Sequence, residues 1–147
     1  MRNLKYRFLT KEFYQDYKSC SEIEHKENRP YAVAMVKYNG FDFAIPFRSH
    51  INHKYAFFTT PEKNKGVDYS KAVPIIKMSY IDTVNTPQTI AREERAALFN
   101  KAEQVEKEFI KYIHSYEKAL NKQHLASCKT MCQCSCLQYF HKELNIK

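Results

Sequence analysis

Glycine is nearly missing from this chain, with two in 147 residues. So few glycines cannot build a phosphate-binding P-loop, a dinucleotide-binding turn or a nucleophile elbow, which need backbone that turns sharply or closely approaches a ligand. Tryptophan is absent. No run approaches the roughly eighteen consecutive apolar residues of a membrane-spanning helix, so no membrane partner is expected. The opening MRNLKYRFLTKEFY carries charges where a secretory leader would need its apolar stretch, which points to the cytoplasm. In that compartment the five cysteines should be thiols. Carboxylates are scarce through the middle of the chain: between Gly40 and Lys77 stand only Asp42, Glu62 and Asp68. A two-metal nuclease needs several carboxylates converging on its ions, so any chemistry here is expected to run without metal or other cofactor.

Positive charge is plentiful. The formal net charge is +8 and the pI about 9.2, and such a surface attracts polyanions before any specific contact forms. The excess is local, because residues 29–77 hold eight Lys or Arg against three acids, whereas 88–122 hold seven against six. A single domain over 1–147 is expected from the length.

The clearest structural signal is YAVAMVKYNGFDFAIPF. Two apolar, β-branched and aromatic runs flank Asn39-Gly40, a pair suited to positive φ at both centres of a tight turn, so a hairpin of 31–38 and 41–47 is predicted. Further strands are predicted in KYRFL, in KYAFFT (54–59) and, after the polar loop PEKNKG, in KAVPIIKM (71–78), with Pro46 and Pro74 marking edges or bulges. TKEFYQDY reads as a short helix capped by Thr10. From Pro87 the apolar period lengthens: Leu98, Ala102, Val105, Phe109, Tyr112, Ile113, Tyr116 and Leu120 recur at three and four residues, predicting one long helix of about 88–121. The closing SCLQYFHKELNI, with Ser135 and Gln138 at capping-box spacing, reads as a short helix bearing Leu137, Phe140 and Leu144. Together these elements predict an α+β fold.

Cys128, Cys132, Cys134 and Cys136 form a C-x3-C-x-C-x-C run, read as an extended segment on which alternate thiols face opposite ways. That spacing does not suit a tetrahedral zinc site, so they are read as small, partly buried apolar groups and no metal ligand is assigned.

One stretch concentrates chemistry. AIPFRSHINHKYAFF places Arg48, Ser49, His50, His53 and Lys54 at the end of the second hairpin strand. Metal-free cleavage of RNA needs a base near the 2′-hydroxyl, cations around the charged transition state and an acid for the leaving 5′-oxygen. Arg48 and Lys54 supply charge, His50 or His53 can exchange a proton, and Ser49 can hydrogen-bond a phosphate oxygen. Strand alternation sets Arg48 and His50 opposite Ser49, so all five cannot share one site. Tyrosine and phenylalanine make up 21 residues. Those interleaved with cations, Tyr14, Tyr31 and Tyr55, suit stacking on unpaired bases, with His50, Lys37, Lys63 and Lys65 as further RNA contacts. A non-catalytic RNA-binding module is the alternative these residues leave open.

The order LTKEFYQDY, NRPYAVAMVKYNGFDFAIPFRSHINHKYAFF, DYSKAVPII, a long helix and LQYFHKELNI resembles the toxins of type III toxin–antitoxin systems, the ToxN and AbiQ group, and its TenpN-like branch above all. The resemblance implies a strongly twisted antiparallel sheet surrounded by helices and a metal-independent, sequence-specific endoribonuclease that leaves a 2′,3′-cyclic phosphate. It further implies inhibition by pseudoknot repeats of an antitoxin RNA, which the toxin processes and binds in a closed ring of alternating protein and RNA. Cleavage of cellular mRNA or phage RNA by the released toxin would arrest growth during infection. Residue by residue, the family serine falls on Ser49, and the hydroxyl that precedes it in other members is Arg48 here. A lysine at the start of the first hairpin strand falls on Arg29, and a helical tyrosine on Tyr14. Related toxins carry lysine two residues after the serine, where this chain has Ile51, so His53 or Lys54 is expected to take that role.

Overall fold

A computed structural model describes residues 3–23, 32–88 and 90–146. The expected hairpin is the centre of the fold: strands β2 (Ala32–Tyr38) and β3 (Phe41–Arg48) join through Asn39 (φ 53°) and Gly40 (φ 83°), both left-handed as the tight turn requires. β1 (Lys5–Leu9) pairs with β2, and Thr10 caps helix α1 (Lys11–Asp16) by accepting the Phe13 N–H at 3.5 Å. Four shorter strands complete an antiparallel, seven-stranded sheet: β4 (Ala56–Phe58), β5 (Gly66–Asp68), β6 (Val73–Pro74) and β7 (Ile81–Asp82). Its order is β4-β5-β3-β2-β1-β7, with β6 also on β3. The fold is α+β.

The strand expected over 71–78 does not form. Only Val73 and Pro74 join the sheet, between tight 3-10 turns at Tyr69–Lys71 and Met78–Tyr80, and β5 takes up the pairing with β4 instead. Pro46 explains where β3 changes partner. Its two-residue hairpin makes Tyr38–Phe41 a hydrogen-bonded pair, so every second pair, including Val33–Pro46, is not. The missing N–H of Pro46 therefore faces away from β2, into the gap after the Ala44–Val73 pair with β6 and before the Phe47–Val67 pair with β5.

Both sheet faces are covered at the centre, which is why AVAMV and FAI read as continuous apolar runs. Ala34, Val36, Phe43 and Ile45 pack against helix α3 (Ala102–Leu120), whose Val105, Phe109, Tyr112 and Tyr116 form one buried stripe. Leu9, Val33 and Ala44 pack on the other face against Phe13, Val73, Tyr80 and Phe140. The long helix is α3, shorter than expected because a separate helix α2 (Arg92–Leu98) precedes it. Between them Asn100 is left-handed (φ 59°), a conformation that ends a helix, and its N–H is held by Asn3 Oδ1 at 2.8 Å.

The cysteine run is helical, not extended: helix α4 (Ala126–Cys134) carries Cys128, Cys132 and Cys134, with Met131 and Cys132 on its buried side. A 3-10 turn (Cys136–Tyr139) and helix α5 (His141–Leu144) follow, so the closing segment is two short turns rather than one helix. Ser135 does accept the Leu137 N–H at 3.2 Å, but Gln138 donates to the Ser135 and Gln133 carbonyls and closes α4 instead of completing a capping box. Among the described residues no helix is long and apolar enough to cross a membrane.

Candidate functional site

The end of β3 is organised by a residue that sequence reasoning counted only as a scattered acid. Asp68, fully buried at the end of β5, accepts Arg48 Nη1 on Oδ2 at 2.8 Å and faces His53 Nε2 across 3.2 Å on the same oxygen. Its Oδ1 accepts the Ser70 hydroxyl at 2.6 Å and the Ser70 N–H at 3.0 Å. Burial alone would raise the carboxyl. The bonds from His53, Ser70 and Arg48 outweigh it and hold Asp68 below the usual carboxylate range. Arg48 and His53 thus converge on one anion, each with about a quarter of its side chain exposed (25% and 26%).

The contacts assign the His53 tautomer. Nδ1 accepts the Tyr55 N–H at 3.0 Å, so the proton lies on Nε2 and points between Asp68 and Ser70 Oγ, 3.2 Å away. Ser70, Asp68 and His53 are not a nucleophilic triad, because serine and aspartate meet the same ring nitrogen and the serine proton goes to aspartate. Both nitrogens of His53 are engaged in holding the loop, which leaves neither to exchange a proton with a ligand.

Beyond Arg48 the strand ends, so alternation no longer dictates direction. Ser49 and His50 are exposed, and His50 is left-handed (φ 57°). This turn is tied to the loop after β4 by the Ile51 N–H on the Asn64 carbonyl (2.9 Å), which brings the exposed Lys63 and Lys65 alongside. Lys54 is also exposed, its ammonium 5.5 Å from the centre of the Tyr55 ring. Tyr55 itself is half-buried between His53 and Tyr112, so it is a wall rather than a free stacking platform.

On the inner side, Tyr14, Arg48, Glu22 and Lys71 rim a hollow of about 40 Å³ whose floor includes Val33 and Val73. Lys71 is anchored there by Glu22 Oε1 (2.7 Å) and the Cys134 carbonyl (2.6 Å). Nearby Cys136 is fully buried and gives its S–H to the Glu22 carbonyl. Burial pushes that thiol up to about 12, so it is neither nucleophile nor ready ligand. Among the described residues no three His, Cys, Asp or Glu side chains are grouped to hold a metal.

The structure therefore joins Arg48 and His53, sets Tyr14 beside Arg48, and gathers Ser49, His50, Lys54, Lys63 and Lys65 on neighbouring loops. Lys37 lies apart, at the other end of the hairpin opposite Asp42. Arg29 and Tyr31 lie outside the described residues. Asp68, Ser70 and Lys71 were missed, although Asp-x-Ser is the pattern of a side chain that caps its own turn.

Comparison with protein-family models, curated proteins and solved structures found no match. The resemblance to type III toxins stands on the quoted motifs alone.

Proposed function

We propose that this chain is a metal-independent endoribonuclease toxin of a type III toxin–antitoxin system. The observation that supports it most is the buried Asp68, which orients Arg48 directly beneath a turn presenting Ser49 and His50, with Lys54, Lys63 and Lys65 on the surrounding loops. Fixing a surface guanidinium against a buried carboxylate sets its direction in advance, and charge stabilisation of a transition state depends on such preorganisation.

In the proposed reaction the ribose 2′-oxygen attacks phosphorus, the bond to the 5′-oxygen breaks, and the products are a 2′,3′-cyclic phosphate and a 5′-hydroxyl. Arg48 and Ser49 hold the non-bridging phosphate oxygens. Lys54 adds charge, a role the resemblance also gives to Arg29. Proton exchange, expected of His53 or His50, goes to His50, whose exposed ring has no side-chain partner among the described residues. His53 becomes a positioning residue. From the resemblance come the remaining parts of the reading: pseudoknot antitoxin repeats as inhibitor, a closed ring as the inactive assembly, and phage or cellular RNA as target.

Expression in bacteria tests this. Wild type should arrest growth, and Ser49→Ala should abolish the arrest while circular dichroism stays unchanged. Wild-type RNA degradation by that variant would misplace the site.

A further inference from the structure

We propose that the open end of the same sheet face, remote from Arg48, holds an extended single strand of RNA by its phosphates. The inference rests on the RNA reading above but not on cleavage. Strand alternation places Lys5 and Arg7 of β1, Lys37 of β2, and Asp42 and Arg48 of β3 on one face. Arg48 and Lys37 occupy opposite ends of it, six β3 residues apart from Arg48 to Asp42, about 20 Å.

Here the face opens into a groove of about 730 Å³ lined by Lys5, Arg7, Lys37, Asp42, Glu106 and Met78. At this end α3 reaches the groove's edge through Ala102 and Glu106. Among the described residues no carboxylate pairs with Lys5, Arg7 or Lys37; Arg7 donates to the Tyr6 carbonyl at 2.9 Å. Elsewhere Arg48, Lys71 and Lys77 each find a carboxylate.

The cations form an oblique row. Lys5 and Arg7 are two residues apart on one strand, about 6.6 Å. Lys5 faces Met35, so Lys37 is its diagonal neighbour, about 7–8 Å away. Such a repeat resembles the spacing of successive phosphates along an extended strand, and Met78, 72% exposed, offers a soft apolar surface to a base. A chain of phosphates is the occupant that matches three evenly spaced, unpaired cations.

The test uses full-length protein and a fluorescent 2′-O-methyl oligouridine, which cannot undergo 2′-hydroxyl attack, titrated over a range of salt. The variant Lys5→Gln/Arg7→Gln/Lys37→Gln is compared with Lys107→Gln/Lys111→Gln/Lys118→Gln, which removes equal charge from exposed positions of α3. Three lost phosphate contacts should flatten the slope of log affinity against log salt by about 2 in the groove variant alone. An unchanged slope, or equal flattening in both variants, overturns the proposal. If the groove variant behaves as expected while wild type leaves unmodified RNA uncut, the nuclease reading fails and the groove assignment stands. A wild type that cuts unmodified RNA but does not bind the oligomer overturns the groove assignment and leaves the nuclease reading standing.

Discussion

Asp68 illustrates how a single buried residue can set the direction of side chains that reach the surface. Its carboxylate has no solvent contact and four hydrogen-bond partners from three residues, so removing its charge strands an arginine and frees a histidine. Asp68→Asn should cost about 3–5 kcal/mol, because breaking a buried pair leaves its partner uncompensated. The pH dependence has a definite sign. The folded-state carboxyl lies below its ordinary value of 3.8, so its stabilisation is complete above that value and is lost as pH falls through the folded one. The gap in thermal midpoint between wild type and Asp68→Asn should therefore be constant through neutral pH and narrow below about pH 4. A gap unchanged into strong acid would mean the carboxyl is not held in this way. At this scale the sequence was half legible. Residue type and spacing put Arg48, Ser49 and His50 at the end of β3, where the structure has them, but partners twenty residues away along the chain, Asp68 for Arg48, depend on how β3 and β5 pair.

At the scale of elements, the hairpin was readable because one dipeptide permits its turn, and α3 because its stripe repeats over five turns. β5 and β6 were not readable. β5 contains only Gly66, Val67 and Asp68, two of them residue types depleted in strands, and its place comes from β3 needing a new partner beyond Pro46. Gly66 is what permits the β4–β5 pairing: a Cβ built there would lie 1.9 Å from the Phe57 carbonyl oxygen, and φ is 159°. Gly66→Ala should destabilise the protein by more than about 1 kcal/mol and raise hydrogen exchange at Val67 and Asp68. Wild-type protection at those amides would show that β4 can shift to make room.

For the whole molecule, the charge balance has a geometry that composition could only hint at. The sheet carries Lys5, Arg7 and Lys37 at one end, with no carboxylate partner among the described residues, and an oriented arginine at the other, while the outer face of α3 alternates acid and base. The reading of the molecule as a nuclease requires that the Arg48 end do chemistry and not merely bind. Incubating purified protein with unmodified RNA in excess chelator, and then analysing the ends of any fragments, addresses that claim most directly. The account predicts fragments ending in a 2′,3′-cyclic phosphate and beginning with a 5′-hydroxyl, lost in Ser49→Ala. Intact RNA across varied sequences, or cleavage abolished by the chelator, would contradict it.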